Sequence, residues 1–353
     1  MNFEYSSLPW NIKFGLGSLS TLSEELDLLG KKKVLILTGP GHSEIGQQIA
    51  KMLGSKCIGV FDKAKMHVPI ETLNQAKKIA LSLDVDCTVA IGGGSTIGLG
   101  KALAVKYLID NVVIPTSYSG SEMTNIWAYT EGNRKITSRS NEAVPILTIY
   151  DPELTLSMPL KFAAASAMNA LAQAVVNVAT DKPNPIVSSM AIQAISSISE
   201  GLPLIIKNPK NIDAHAKLLY GSLMAGASLG TGTTGLHHRL CHTFGGSFNT
   251  PHAETHAILL SHSVAFNANA TSEGTRQVAR AMNVDNASEG IFNLLNSLKI
   301  PNSLKDIGVQ QSDLDKAVDI SLEKPINNPE SVDKRKLKKL LENAYIGASP
   351  QQI

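Results

Sequence analysis

The chain has 353 residues, 43% hydrophobic and 18% charged, enough apolar surface for two hydrophobic cores and too much for a disordered polymer. Its 32 basic and 30 acidic residues leave a formal charge of +2 with no long block of one sign. That pattern lacks the basic footprint of a nucleic-acid or anionic-membrane binder, and is compatible with a small anionic substrate because a local basic pocket does not show in net charge; a small anionic or carbonyl partner is the expectation once the motifs below are added.

Cys57, Cys87 and Cys241 show no CxxC spacing and cannot all pair, so a reducing, cytoplasmic setting is expected. The first 18 residues lack a basic segment followed by an apolar run, so no signal peptide is expected. The apolar stretches are short or interrupted, and no membrane span is expected.

In chain order, KKKVLILTGPG at 31–41 carries a strand-length apolar run ending in a Gly/Pro turn with Gly39 and Pro40. Helical spacing follows over 42–53, a strand over 55–62 and a helix over 69–83. CTVAIGGGSTIGLGKALAVKYL then gives a strand, a glycine turn and a helix, and NVVIPTSYSGSE another strand and a polar loop. Alternation at these lengths predicts a parallel sheet covered by helices, with ligands beyond the carboxyl ends of its strands. Gly92, Gly93, Gly94 and Ser95 stand where a phosphate would sit, because glycine lets backbone N–H groups approach an anion at a helix start. GGGS alone also suits a simple tight turn. A second polar turn supplies Thr116, Ser117, Ser119 and Ser121 at the same predicted edge, favouring a dinucleotide site.

After YDPEL at 150–154 the strand signal fades and helical periodicity takes over, through FAAASAMNALAQAVVNVAT and beyond, to an amphipathic segment DKRKLKKLLENAY. The expected division is an α/β domain over 1–155 and an all-helical domain over 156–353. Six of the nine histidines crowd into GLHHRLCHTFGGSFNTPHAETHAILLSH at 235–262. His238 and His242, four apart, would share a helix face, and His252 could turn back toward them. His237 is expected to point elsewhere. Asn169 and Gln173 on a preceding helix could face this cluster. As neutral amides they are poor ligands for a divalent ion, so a metal-free hydrogen-bonding pocket is expected.

GGGSTIGLGK, IPTSYSGSEMTNIW, YDPELTLSMP, AMNALA, GLHHRLCH and PHAETHAILLSH together resemble the maleylacetate reductases, a branch of the iron-containing alcohol dehydrogenase superfamily with a dehydroquinate synthase-like fold. The resemblance runs nearly the full length. It implies an N-terminal dinucleotide-binding domain, a C-terminal helical domain carrying the substrate pocket, a homodimer, and reduction of the carbon–carbon double bond of maleylacetate to 3-oxoadipate with NADH or NADPH. It further implies that Gly39, Pro40, Gly93, Gly94, Ser95, Thr116, Ser117, Ser119 and Lys101 serve the cofactor. His238, His242, His252, Tyr118 and Gln173 would form the catalytic set, with no metal. Histidine is usual in that branch where this chain has Gln173, and Val176 replaces a glutamate common among relatives.

Overall fold

The computed structural model describes residues 2–132 and 134–352. Its chain divides into two compact units, Ser7–Met158, and Pro159–Ile353 together with Met1–Ser6. The division falls just past the expected one, and the N-terminal residues up to Ser6 group with the helical unit. Asn184 holds them there by donating to the Glu4 carbonyl at 2.8 Å.

In the α/β unit the strands are β1 (Ile12–Phe14), β2 (Val34–Leu37), β3 (Cys57–Phe61), β4 (Cys87–Gly92), β5 (Asp110–Pro115), β6 (Ile126–Glu131), β7 (Arg134–Arg139) and β8 (Leu147–Tyr150). Its helices are α1 (Leu22–Leu28), α2 (Ser43–Leu53), α3 (Ile70–Ser82) and α4 (Gly94–Tyr107). Six strands form a parallel sheet in the order β1-β8-β5-β4-β2-β3. The central strands β2 and β4 are buried at every position, as a sheet covered on both faces requires. One apolar layer gathers Leu35, Leu37, Ala90, Val113 and the inner faces of α3 and α4; the other gathers Val34, Ile36, Val89, Ile91 and Ile149. Strand alternation distributes consecutive residues between these layers.

The expected β2–α2–β3–α3–β4–α4–β5 run is present. The antiparallel hairpin β6–β7 and the short strands β1 and β8 were not expected.

The helical unit comprises α5 (Leu160–Val178), α6 (Pro185–Lys207), α7 (Ile212–Thr231), α8 (Leu236–Ser247), α9 (His252–Asn267), α10 (Ser272–Met282), α11 (Ala287–Ser297), α12 (Asp313–Leu322) and α13 (Lys334–Ile346). Small residues permit close helix crossings: a Cβ added to Gly221 on α7 would lie 2.6 Å from the Ile198 side chain on α6. By length and composition alone α6 is apolar enough to cross a membrane, a test that the core helix of a soluble protein also passes. Here it packs against α5, α7 and α10 through a face that includes Ala191, Ile195, Ile198 and Leu202.

Candidate functional site

Two residue groups are candidates to carry the chemistry, one in each unit. In the α/β unit, parallel pairing of β2, β4 and β5 brings their carboxyl ends side by side. Gly92 has φ +151°, and a Cβ there would lie 2.7 Å from Thr96 Oγ1, so this position demands glycine. A Cβ on Gly93 would stand 3.0 Å from Ser117 Oγ, and one on Gly94 would stand 3.7 Å from Ser119 Cβ. The glycine turn and the Thr116–Ser119 loop therefore touch, and the Thr116 amide donates to the Gly92 carbonyl at 3.1 Å. On the other flank lies the Gly39–Pro40 turn, whose His42 Nε2 meets Thr116 Oγ1 at 3.1 Å. Burial lowers the His42 pKa.

Of the expected cofactor residues, Gly39, Pro40, Gly93, Gly94, Ser95, Thr116, Ser117 and Ser119 share this strand edge, around the first turn of α4. That turn presents backbone N–H groups lacking helical acceptors, a setting suited to a pyrophosphate. His42 was missed, although its place directly after a Gly/Pro turn could have marked it.

Lys101 requires a correction. Its side chain is 0% exposed, and its Nζ donates to the carbonyls of Ser121 and Thr124 at 2.7 Å and to Thr124 Oγ1 at 3.1 Å. Those bonds commit the ammonium to the loop that follows Ser119, and burial drives its pKa down to about 7. Its neighbour Glu122 is also fully buried; its Oε1 accepts from the Tyr150 hydroxyl at 2.9 Å, and burial raises its pKa. Tyr118 is likewise buried beside the Thr155 hydroxyl, and burial raises its pKa.

In the helical unit, residues 248–251 turn the chain so that α9 packs on α8. His237 Nε2 meets His256 Nδ1 at 2.9 Å, and Cys241 Sγ lies 3.7 Å from the same His237 nitrogen. His238 touches His237, His256 and His242 edge-on at centroid separations of 5.5, 5.3 and 6.4 Å; His252 lies 4.5 Å from His256. The expected pair His238 and His242 does meet, with His238 buried and His242 exposed. His237 does not point elsewhere: it sits inside the array, only 2% exposed. His256, which sequence spacing alone left without a role, is the hub.

Burial, reinforced by neighbouring imidazoles, depresses the pKa of His237 to about 3 and those of His238 and His256 well below the usual range. At neutral pH these three rings are uncharged hydrogen-bonding groups rather than cations. Asn169 and Gln173, one turn apart on α5, are each 6% exposed, and α5 packs on α9. Among the described residues, Asn169 Oδ1, His238 Nδ1 and His256 Nε2 have no hydrogen-bond partner. Buried polar atoms in this state mark a place where a ligand or water completes the bonding. Arg239 donates to the Pro325 carbonyl at 3.4 Å, which ties it to the loop before α13.

The description "Iron-containing alcohol dehydrogenase" matches residues 9–152, and "Fe-containing alcohol dehydrogenase family, C-terminal" matches residues 163–345. The chain is 40% identical to a maleylacetate reductase of Burkholderia cepacia, covering 96% of each chain. It is also 40% identical to one of Pseudomonas sp. strain P51, covering 99% of this chain and 100% of the other. The crystal structure of a maleylacetate reductase from Agrobacterium tumefaciens superposes with a TM-score of 0.96 at 38% identity, over 99% of this chain and 100% of that one. One from Rhizobium sp. strain MTP-10005 gives 0.96 at 37% over the same shares.

Proposed function

Because the chain belongs to the maleylacetate reductase branch of the iron-containing alcohol dehydrogenase family, we propose that it reduces the carbon–carbon double bond of maleylacetate to give 3-oxoadipate, using NADH or NADPH. The observation that carries this reading is 40% identity sustained over essentially the whole of both chains. A bound reduced nicotinamide supplies the hydride. The turn at Gly93, Gly94 and Ser95 would hold the pyrophosphate, with Thr116, Ser117 and Ser119 alongside, because this edge offers free amides and excludes side-chain bulk.

Hydride delivery to the alkene carbon β to the ketone leaves enolate charge on the ketone oxygen, and a proton then adds to the carbon between them. An imidazole N–H from His238 or His242 would bond that oxygen and stabilise its developing charge. One of the exposed imidazoles, His242 or His252, would pass on the proton, since each reaches solvent to regain it. Gln173 can donate a hydrogen bond but is no acid at neutral pH, and so would orient the substrate.

The iron of the family name meets a poor donor set. Asn169 and Gln173 bring neutral amides, and the buried group of His237, Cys241 and His256 has its two imidazoles joined by a hydrogen bond. Burial also raises the Cys241 pKa well above the usual range, which adds to the cost of forming a thiolate ligand. No carboxylate belongs to either group, and the carboxamides of Asn169 and Gln173 are weak donors to a divalent ion. The reading is therefore of a metal-free reductase. The free thiols Cys57, Cys87 and Cys241 suit the cytoplasm, and a homodimer is part of the same proposal. Loss of NADH absorbance on adding maleylacetate tests the activity; a folded, NADH-binding sample that shows none refutes it.

A further inference from the structure

The α8 terminus carries a feature that the reaction above leaves unused. A cavity with about 40 Å³ of water-sized room opens there, lined by Thr233, Thr234, His237, Ser263 and Asn328 among others. That is space for roughly three water-sized groups, the size of one carboxylate rather than of a whole substrate.

Two independent features give this cavity an appetite for an anion. First, α8 runs for 12 residues from a glycine N-cap, which supplies no side chain to satisfy its first turn. The Leu236 amide is taken by Asn328 Oδ1 at 3.3 Å, leaving the amides of His237 and His238 without an acceptor inside the helix. Second, Ser263 Oγ has no hydrogen-bond partner, although its residue is only 3% exposed and lines the cavity. The wall is otherwise well built: Asn328 is fixed by paired bonds with Asn267, at 3.1 and 2.6 Å, and by a bond to the Glu330 carbonyl at 2.8 Å. The one carboxylate in the lining, Asp181, is exposed, and Thr233 and Thr234 are exposed as well.

We propose that this cavity holds the ketone-side carboxylate of a dicarboxylate substrate, through the first turn of α8 and the Ser263 hydroxyl. The inference rests on the reductase reading. In maleylacetate that carboxylate lies two bonds from the ketone carbon and the other lies three, so it is the nearer one when the ketone oxygen meets His238. The site makes the enzyme selective for a diacid over an otherwise identical enone acid ending in a methyl ketone.

Steady-state kinetics with maleylacetate and with 4-oxopent-2-enoate, which lacks only that carboxylate, provide the test. Thr234→Asp places a negative charge at the exposed mouth, and Ser263→Ala removes the buried hydroxyl. The expected result is a KM for maleylacetate raised about tenfold or more by Thr234→Asp and about threefold or more by Ser263→Ala, with the KM for 4-oxopent-2-enoate changed less than about twofold. Equal changes for both substrates, or no change for either, overturn the carboxylate site while leaving the reductase reading intact. Absence of maleylacetate turnover in the unsubstituted enzyme removes the reading and the site together.

Discussion

Nε2 of His237 and Nδ1 of His256 lie 2.9 Å apart, joining two helices across the turn at residues 248–251. Each ring is almost completely buried, so the pair is stable only while both imidazoles stay uncharged. Acid should therefore unfold this protein through its histidines. A histidine in the unfolded chain titrates near 6.5, whereas burial holds His237 down to about 3 and His262 to about 4. Below pH 6.5 the unfolded chain takes up protons that the folded chain refuses. Stability is thus complete above pH 6.5 and is lost as pH falls toward the folded values, costing roughly 2 kcal/mol per imidazole by pH 5. Thermal melts are expected to be level from pH 7 to 8 and to drop between pH 6.5 and 5, with a shallower drop for His262→Phe. Equal melting temperatures at pH 7 and 5 contradict this.

Gly93→Ala is expected to weaken NADH binding about tenfold or more while leaving the melting temperature within a few degrees. The added methyl stands 3.0 Å from Ser117 Oγ, in the space where the backbone would meet a pyrophosphate under the proposed reading. Fluorescence titration of NADH measures it, and unchanged affinity rules out this turn as the phosphate cradle.

Lys101→Met should act on stability first. It removes the ammonium that satisfies Ser121 and Thr124 and leaves Glu122 buried without its cationic neighbour, a change worth about 3 to 5 kcal/mol. Chemical denaturation reads the loss. A stable variant with impaired cofactor binding alone would return Lys101 to the cofactor.

The alternating strands and helices from Val34 to Pro115 were legible because each buried strand is a compact apolar run and each helix repeats near 3.6 residues. The hairpin β6–β7 was not legible: β7 is exposed along its whole length and β6 only half-buried, so burial leaves no mark on their sequence. The histidine cluster announced itself through density and four-residue spacing. What spacing could not reveal is that His237 faces His256, because that contact depends on how α8 rolls against α9. Lys101, given to the cofactor by the resemblance, shows its tie to the Ser121–Thr124 loop only once its three oxygen acceptors are seen.

Metal content tests the proposed metal-free reading. Purified after growth with added iron, it is expected to hold far less than one divalent ion per chain. The Asn169→Asp/Gln173→His double variant supplies a carboxylate and another imidazole beside the existing histidines, and should approach one ion per chain. Elemental analysis decides both, and stoichiometric iron in the unsubstituted protein would contradict the donor-set argument.

Chelator-treated enzyme supplied with maleylacetate and NADH carrying deuterium at the transferred C4 position is expected to place one deuterium on C5 of 3-oxoadipate, with the solvent proton on C4, both read by NMR. Label absent from C5 in a folded, NADH-binding sample, or appearing only after a divalent metal is restored, would contradict metal-free reduction of the double bond.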